Sequence, residues 1–301
     1  MTDLADGPNV DRPVFIIGGS RTGSEMLKTM LSKSEDLDFV DELFLLCPAW
    51  LHTDLRRNVR RHVGKLDQIG AIDRLIDLVF SKKPYGWFWT VVDEKLDRES
   101  LRNEMLGKPV NMRSLFLAIM VVHACRRGRS CIGAKFPLHY SYADKLIDWF
   151  PNCRLIHTTR FPKAVYASQA AKYTKKSQSY SKKMYFRFKQ FVHINIQTAW
   201  TARVHNRYLS MPNYLLVRYE DVVQEPETQL RVICEFLDVN FSSSMLAPEQ
   251  YGSSFRKPGG AAGIQLNSLE KWRGEISVVT STWFDTMHKN AYQKFGYRVD
   301  K

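Results

Sequence analysis

The sequence predicts an α/β fold, a three-layer arrangement in which a parallel sheet is flanked by helices. Short runs that predict strands occur at 13–18, which is apolar and β-branched, and at 131–136, 154–159 and 214–218. Segments with helical spacing separate them, and strands that alternate with helices are typical of a parallel sheet. A glycine-rich loop directly follows the first run. Because binding sites of such sheets lie at the carboxyl ends of the strands, this loop is the first place to expect one.

The first half of the chain contains one strand and several helices. Residues 13–18 (PVFIIG) predict a buried strand, and the helical spacing of apolar residues at 24–32 predicts the first helix. Residues 43–130 are mostly helical in pattern and predict a helical insertion. No internal repeat or long linker divides the sequence, so residues 1–301 are predicted to form a single domain.

The second half repeats the alternation of strands and helices. Pro162 suits the first turn of a helix, and so does Pro226. The predicted elements are a strand at 131–136, a helix at 142–150, a strand at 154–159, a helix at 163–172, a strand at 214–218 and an amphipathic helix at 225–237.

The composition is that of a globular chain with a basic excess. The 301 residues include 44 Lys and Arg against 31 Asp and Glu, a formal net charge of +13, which indicates an anionic partner. A hydrophobic content of 44% excludes a disordered chain. No apolar run approaches the ~20 residues that span a bilayer, and no secretory signal is recognisable, so a cytoplasmic protein is expected. The five cysteines form no CxxC pair, which argues against a zinc site and a disulfide framework.

A candidate anion-binding loop joins the first strand to the first helix. Such a loop directs backbone N–H groups and a helix N-terminus at one anion. The spacing of Gly18 and Gly23 matches a Walker loop, but Ser24-Glu25 stands where a Walker loop has Lys-Ser/Thr. The candidate residues are Gly19, Ser20, Arg21, Thr22, Gly23 and Ser24, with the cation at Arg21. The alternative interpretation is a tight turn that carries a surface arginine.

A second candidate phosphate site follows the third strand. Arg160 ends that strand, and Ser168 lies in the helix that follows. An arginine can donate two hydrogen bonds to a phosphate while a serine hydroxyl donates a third. Alone the pair is weak evidence, because an arginine at a strand end is usually solvated.

Together these segments resemble the sulfotransferase family, which uses 3′-phosphoadenosine 5′-phosphosulfate (PAPS) as donor. The first loop is similar to the family's 5′-phosphosulfate loop, and Arg160 with Ser168 matches its 3′-phosphate motif. Residues 216–221 (LVRYED) resemble a segment whose tyrosine, here Tyr219, lies near the nucleotide, and residues 272–273 (WR) resemble a C-terminal segment. The resemblance points to the branch that includes tyrosylprotein and bacterial enzymes. It implies a P-loop-like sulfotransferase fold, PAPS as donor, 3′,5′-bisphosphoadenosine (PAP) as product, and no metal.

Two positions depart from the family's loop. Ser20 stands where the family has proline, which loosens the preset geometry of the loop. Glu25 replaces a second hydroxyl residue. Because a carboxylate would repel a phosphosulfate, Glu25 is expected to point away from the donor or to pair with a cation.

Sulfuryl transfer needs positioning, in-line attack and stabilisation of the charge on the leaving phosphate oxygen. Arg21 is placed for that stabilisation. The resemblance puts Lys135 near the transferred group, and a surface lysine at a strand end is the alternative interpretation.

The acceptor must also lose a proton, which requires a general base. The resemblance points to Glu42, with Asp41 next, and helix capping is the alternative role for these acids. His139 is another candidate, two residues beyond the position where the small-molecule branch has its histidine, which is Pro137 here. His157 alternates with apolar residues in a strand, which is more typical of a core histidine.

The segment at 172–192 is basic and aromatic and is predicted to form a helix or lid beside the acceptor. Two interpretations stay open: a solvated helix face with core aromatics, or a lid suited to an anionic glycan or lipid. The second would also suit contact with an anionic membrane surface, so that the protein would be peripheral to the membrane. Farther on, Arg256 and Lys257 resemble a segment that closes over the 3′-phosphate, with Pro258 where glycine would be.

Two other functions remain alternatives. A P-loop kinase of related fold would bind ATP with magnesium, and this loop lacks the Lys-Ser/Thr pair of such enzymes. A non-enzymatic basic nucleic-acid-binding protein rests on charge alone, and nucleic acid is not expected as a partner of a sulfotransferase.

Overall fold

A four-stranded parallel sheet forms the centre of the molecule. The computed structural model describes residues 7–40, 58–81, 96–175, 179–246 and 269–297. The strands are β1 (Asn9–Gly18), β2 (Cys131–Lys135), β3 (Arg154–Thr159) and β4 (Tyr214–Arg218), in the spatial order β2-β1-β3-β4. Every pairing in the sheet is parallel. The predicted α/β class is therefore confirmed.

Helices connect the strands and cover the sheet. They are α1 (Ser24–Leu31), α2 (Ala71–Val79), α3 (Arg98–Met105), α4 (Met112–Arg126), α5 (Ala143–Trp149), α6 (Pro162–Thr174), α7 (Tyr180–Tyr208), α8 (Tyr219–Gln224), α9 (Pro226–Leu237), α10 (Val278–Met287) and α11 (Lys289–Lys294). Short turns of other helix types are a π-helical turn at Val59–Val63 and 3₁₀ turns at Pro137–Tyr142, Ser243–Leu246 and Lys271–Gly274. Within the described residues, no helix is both long enough and apolar enough to cross a membrane.

The two faces of β1 belong to two different cores. Phe15 packs on one side of the sheet with Phe116 of α4, their ring centroids 5.7 Å apart. Ile16 packs on the other side with Leu27 of α1. All of these side chains are fully buried. A strand covered on both faces reads as a continuous apolar run, which is why residues 13–18 show no polar alternation.

The strand register brings the carboxyl ends of β1, β3 and β4 level with each other. Gly18 pairs with Thr158, and Thr159 pairs with Arg218. The segments that follow these three strands therefore emerge side by side at one edge of the sheet, which we call the donor edge.

The strands predicted at 154–159 and 214–218 coincide with β3 and β4. β1 begins earlier than predicted, at Asn9, because Asn9 pairs with Cys131 across the sheet although its own side chain is polar and exposed. The helix predicted at 142–150 begins at Ala143, since the 3₁₀ turn at Pro137–Tyr142 precedes it.

The predicted insertion at 43–130 contains α2, α3 and α4 in its described part. The division of the chain into one domain with this insertion and a lid at 172–192 stays a prediction.

Candidate active site

The loop after β1 has an unusual backbone. Gly18, Arg21 and Gly23 have φ angles of 143°, 68° and 90°. A Cβ on Gly18 would lie 2.4 Å from the Thr158 carbonyl oxygen, so only glycine fits there. A Cβ on Gly23 would lie 2.5 Å from the Tyr219 ring, so the loop approaches that ring directly. Arg21 is the non-glycine residue that this loop holds in the left-handed region.

Internal hydrogen bonds fix the curl of the loop. The Thr22 hydroxyl donates to the Gly19 carbonyl at 2.7 Å and lies 2.8 Å from Thr158 Oγ1. Thr22 is buried, so its hydroxyl serves the loop, which leaves its backbone N–H as the group suited to an anion. Ser24 begins α1, and the preceding Gly23 is in a left-handed conformation.

A residue of α7 braces this loop from outside. Gln197 Oε1 accepts the backbone N–H of Ser20 at 2.9 Å, and Gln197 Nε2 donates to the Ser20 carbonyl at 3.3 Å. The sequence does not reveal this contact, because a glutamine within a long helix carries no signal of a partner 177 residues away.

The two predicted phosphate motifs meet at the donor edge. Arg21 Nε donates to Ser168 Oγ at 3.0 Å, across a sequence separation of 147 residues. The loop after β1 and the helix after β3 therefore present their polar side chains to one volume.

Arg160 and Tyr219 form the wall beside this pair. The Arg160 guanidinium lies over the Tyr219 ring, 4.2 Å from its centroid. Because the same ring lies against Gly23, one aromatic side chain contacts both phosphate motifs. The Tyr219 segment was predicted to lie near the nucleotide, and the structure places it between the two candidate phosphate sites.

A buried carboxylate, Glu220, orients the segment after Arg160. It accepts the backbone N–H of Phe161 at 2.9 Å and the hydroxyl of Tyr297 at 2.9 Å. Burial raises the pKa of Glu220, while these hydrogen bonds and the nearby Arg160 act to lower it. The sequence indicated the segment at the end of the fourth strand that carries Glu220, but it did not indicate that Glu220 accepts hydrogen bonds from Phe161 and Tyr297.

Lys135 and Glu25 form a close ion pair at the end of β2. Lys135 is 1% exposed, and its Nζ lies 2.5 Å from Glu25 Oε2. Lys28 Nζ lies 3.2 Å from the other carboxylate oxygen of Glu25. The expectation that Glu25 would pair with a cation is met, which removes the conflict between this carboxylate and an anionic donor.

Both candidate histidines are fully buried. His139 packs between Phe116 and Phe136, and burial lowers the pKa of His139 to about 3. Its ring nitrogens have no hydrogen-bond partner among the described residues. His157 Nδ1 lies 2.7 Å from the Tyr214 hydroxyl, and burial lowers its pKa to about 3 as well. His157 is thus the core histidine that its position suggested.

Four predicted site residues, Asp41, Glu42, Arg256 and Lys257, lie outside the described residues. Val40, the last described residue before them, accepts the backbone N–H of Lys135 at 2.9 Å. Among the described residues, no cluster of three or more His, Cys, Asp and Glu side chains is suited to hold a metal ion.

A parallel sheet with a curled glycine loop, a strand-end arginine and a helix serine at one edge defines a nucleotide-binding α/β protein of the P-loop-like class. Residues 13–243 match the sulfotransferase family, and the chain belongs to that family. The family assignment made from the sequence is confirmed.

A curated relative agrees with this family assignment. Protein-tyrosine sulfotransferase A of Caenorhabditis elegans is 25% identical over an alignment of 290 residues that covers 90% of this chain and 64% of that protein. The chain therefore spans about 64% of the length of this curated relative.

Solved structures of similar fold include the sulfotransferase domain of the Synechococcus PCC 7002 olefin synthase. Its TM-score is 0.61 at 18% identity, and the match covers 98% of this chain and 97% of that one. The sulfotransferase domain from the curacin biosynthetic pathway has a TM-score of 0.60 at 17% identity, covering 96% and 99% of the two chains. At these identities the likeness shows the fold.

Proposed function

We propose that this protein transfers the sulfuryl group of PAPS to a hydroxyl or amine of an acceptor. The observation that carries the proposal is the hydrogen bond between Arg21 and Ser168, which joins the two phosphate motifs at one edge of the sheet. A donor with phosphates at both its 3′ and 5′ positions would engage both motifs at once.

The residues at the donor edge fit such a nucleotide. The backbone of residues 19–24 and the N-terminus of α1 suit the 5′-phosphosulfate. Arg160 and Ser168 suit the 3′-phosphate, with Tyr219 beside the nucleotide between them. Arg256 and Lys257 are proposed to close over the 3′-phosphate. The glycine positions of the loop, where a Cβ would meet Thr158, Gln197 or Tyr219, let the loop pack closely against these residues.

The reaction proposed is an in-line displacement at sulfur. The acceptor oxygen or nitrogen forms a bond to sulfur while the bond from sulfur to the 5′-phosphate oxygen breaks, and PAP leaves with the electron pair. Arg21 and Lys135 stabilise the negative charge that develops on the leaving oxygen and the transferred group. The proton of the acceptor goes to a general base.

Glu42 is the base that we favour, with Asp41 as the alternative. Val40 contacts the backbone of Lys135, and Glu42 follows Val40 by two residues in the sequence. His139 is less suited, because it is fully buried among aromatic rings and its pKa is lowered to about 3. An imidazole of that pKa is a weak proton acceptor at neutral pH.

Calorimetric titration of the full chain with PAP tests the donor site. The wild type is expected to bind one PAP, and Arg160→Ala is expected to lose most of that affinity. Arg231→Ala is the matched control, because Arg231 is an exposed arginine that pairs with Glu227 on α9. The proposal fails if the wild type binds no PAP at millimolar concentration, or if Arg160→Ala binds as tightly as Arg231→Ala.

We further propose that the outward face of α7 and α10 contacts an anionic membrane surface, which agrees with a lipid or glycan as acceptor. Most of the large apolar side chains that the described residues expose lie on these two helices. They are Tyr180, Met184, Tyr185, Phe188, Val192, Ile196 and Trp200 of α7 and Val278, Val279, Trp283 and Met287 of α10. A concentration of exposed apolar area marks an interaction site. The two helices adjoin, since Trp283 Nε1 donates to Asn195 Oδ1 at 3.1 Å.

The positive charge of α7 favours an anionic membrane as the surface that this face contacts. Residues 180–208 contain six Lys and Arg and no Asp or Glu. A second copy of the chain docked by a two-fold axis would bring these cations against each other. An anionic bilayer accepts both the cations and the aromatic side chains, as it does for basic amphipathic helices.

Flotation of the full chain with vesicles tests this surface. Binding to vesicles with about a third phosphatidylglycerol, and none to pure phosphatidylcholine, is expected. The double variant Phe188→Ser with Trp283→Ser should lose binding, whereas Lys145→Glu on α5 should retain it. Equal binding to both vesicle types, a dimer held together by this face in solution, or binding only to an acidic protein would contradict the proposal.

A further inference from the structure

The side-chain amide of Gln197 holds both backbone polar groups of one loop residue. Its Oε1 accepts the Ser20 N–H and its Nε2 donates to the Ser20 carbonyl. Gln197 is 5% exposed, so these hydrogen bonds form away from solvent. A Cβ on Gly19 would lie 2.2 Å from Gln197 Nε2, which shows that the amide also packs flat against the loop.

The loop needs such a brace at this point. Arg21, the next residue, has a φ of 68°, a conformation that is unfavourable for a residue with a Cβ. A strained backbone conformation persists only where contacts with the surrounding residues hold it in place. The Thr22 hydroxyl fixes the loop after Arg21, through the Gly19 carbonyl, and Gln197 fixes it before Arg21.

The residue at position 20 makes this brace possible. A serine has a backbone N–H to donate, whereas a proline has none. The family's loop has proline at this position. A proline would restrict φ of residue 20 by its own ring, with no hydrogen bond from another residue. Ser20 leaves the backbone free, and the hydrogen bonds from Gln197 restrict it instead.

We propose that Gln197 is a positioning residue that holds the Ser20 peptide, and through it Arg21, in the geometry that the donor site requires. The proposal rests on the function proposed above. Gln197 acts through the loop backbone and orients Arg21, whose Nε reaches Ser168 from this conformation.

Gln197→Met is the first test, because methionine matches the length of glutamine but forms no strong hydrogen bonds. With the loss of two hydrogen bonds, kcat at saturating donor is expected to fall about tenfold. The KM for the acceptor should stay within about twofold. Gln229→Met is the matched control, since Gln229 is a half-buried glutamine on α9, outside the donor edge, and should leave kcat within about twofold.

A rescue experiment separates a positioning role from a structural one. Ser20→Pro in the Gln197→Met background is expected to restore kcat several-fold, because proline supplies the restriction of φ that Gln197 no longer supplies. Ser20→Ala in that background keeps a flexible backbone and should restore nothing. A double variant with Ser20→Pro that is no faster than Gln197→Met overturns the proposal, as does a Gln197→Met variant with wild-type kcat.

If Gln197→Met fails to fold, which a thermal melt without a cooperative transition would reveal, a second variant tests the same proposal. Gln197→Glu keeps the acceptor for the Ser20 N–H and adds a charge at the loop, so PAP affinity should fall at least tenfold at low salt. Unchanged affinity would overturn the proposal. Failure of the wild type to bind PAP would instead contradict the donor site itself, so the two failures are distinguishable.

Discussion

The donor edge and the outward face of α7 are both positively charged, but they hold that charge in different ways. At the donor edge and the neighbouring end of β2, three cations have a defined partner: Arg21 contacts Ser168, Arg160 lies over Tyr219, and Lys135 pairs with Glu25. On α7 the basic side chains stand mostly exposed among exposed aromatic ones.

The difference separates two uses of positive charge. Cations with fixed geometry stabilise developing charge without reorganising, so each one should contribute strongly to catalysis. Exposed cations attract an anionic surface collectively, each one contributes little, and salt weakens them. The net charge of +13 therefore divides into a part that serves chemistry and a part that serves association.

The general base is expected to show the largest single effect. Glu42→Gln should lower kcat by about 1000-fold, because it removes the proton acceptor while leaving donor binding in place. Initial-rate assays with PAPS, together with PAP affinity, check this. Asp41→Asn is the matched control and should stay within a few-fold of the wild type. A larger effect of Asp41→Asn would assign the base to the neighbouring carboxylate.

Loss of the loop cation is expected to come next. Arg21→Ala should lower kcat by about 100-fold, since it removes one fixed donor at the leaving oxygen. The KM for the acceptor should change little. Arg203→Ala on α7, the same loss of one positive charge at an exposed position, should leave kcat within twofold. Equal losses in the two variants would erase the distinction between fixed and exposed charge.

The sequence predicts the parts of the donor edge that local patterns determine. β3 and β4 were placed correctly because each is a short apolar run that lies between helical segments, although β4 is an edge strand and only partly buried. Arg160 and Ser168 could be proposed as site residues because both lie in one strand–helix unit, and the family match spans the segments that carry them.

Contacts between distant elements could not be predicted in the same way. The start of β1 at Asn9 depends on β2, the hydrogen bonds of Ser20 depend on α7, and the pairing of Glu25 depends on Lys135. In each case the residue that makes the contact lies more than 100 residues away in the sequence, and no periodicity or motif indicates that the two residues meet. The exposed face of α7 could not be predicted either, because a basic aromatic pattern alone does not distinguish a core-facing side of a helix from an outward one.

A buried carboxylate away from both regions should affect stability without affecting chemistry. Burial acts to raise the pKa of Asp38. The hydrogen bond from His123 at 3.1 Å, the charge of His123 and the hydrogen bonds from Phe39 and Ser32 together outweigh burial, so the pKa is well below the ordinary value of 3.8. Asp38→Asn should therefore lower the free energy of unfolding by about 2 kcal/mol at pH 7 and leave kcat unchanged.

The pH dependence of this effect follows from the sign of the shift. A carboxyl whose pKa is depressed in the folded state stabilises the fold above pH 3.8 and loses that contribution as the pH falls through its folded value. In urea denaturation, the difference between wild type and Asp38→Asn should shrink from pH 7 to pH 3. A difference that grows toward pH 3 would contradict the assignment. Asp144→Asn, at an exposed ion pair with Arg207, is the control and should change stability by at most about 0.5 kcal/mol.

The smallest effects are expected from single charges on α7. Lys189→Glu should weaken binding to anionic vesicles by about tenfold, because it replaces an attractive charge with a repulsive one at about 1 kcal/mol per basic residue. PAP affinity should be unchanged, and the loss should diminish at 0.5 M salt as charges are screened, as is typical of surface electrostatics. A change in PAP affinity equal to that of Arg160→Ala would show that the two regions are not separate.

A crystal structure of the PAP complex tests the central claim most directly. We expect the 5′-phosphate to accept hydrogen bonds from the backbone of residues 19–24, with Arg160 and Ser168 on the 3′-phosphate and the Tyr219 ring beside the nucleotide. PAP bound at any other place, or with only one of its two phosphates in contact with the donor edge, would contradict the claim that the loop after β1 and the helix after β3 form one donor site.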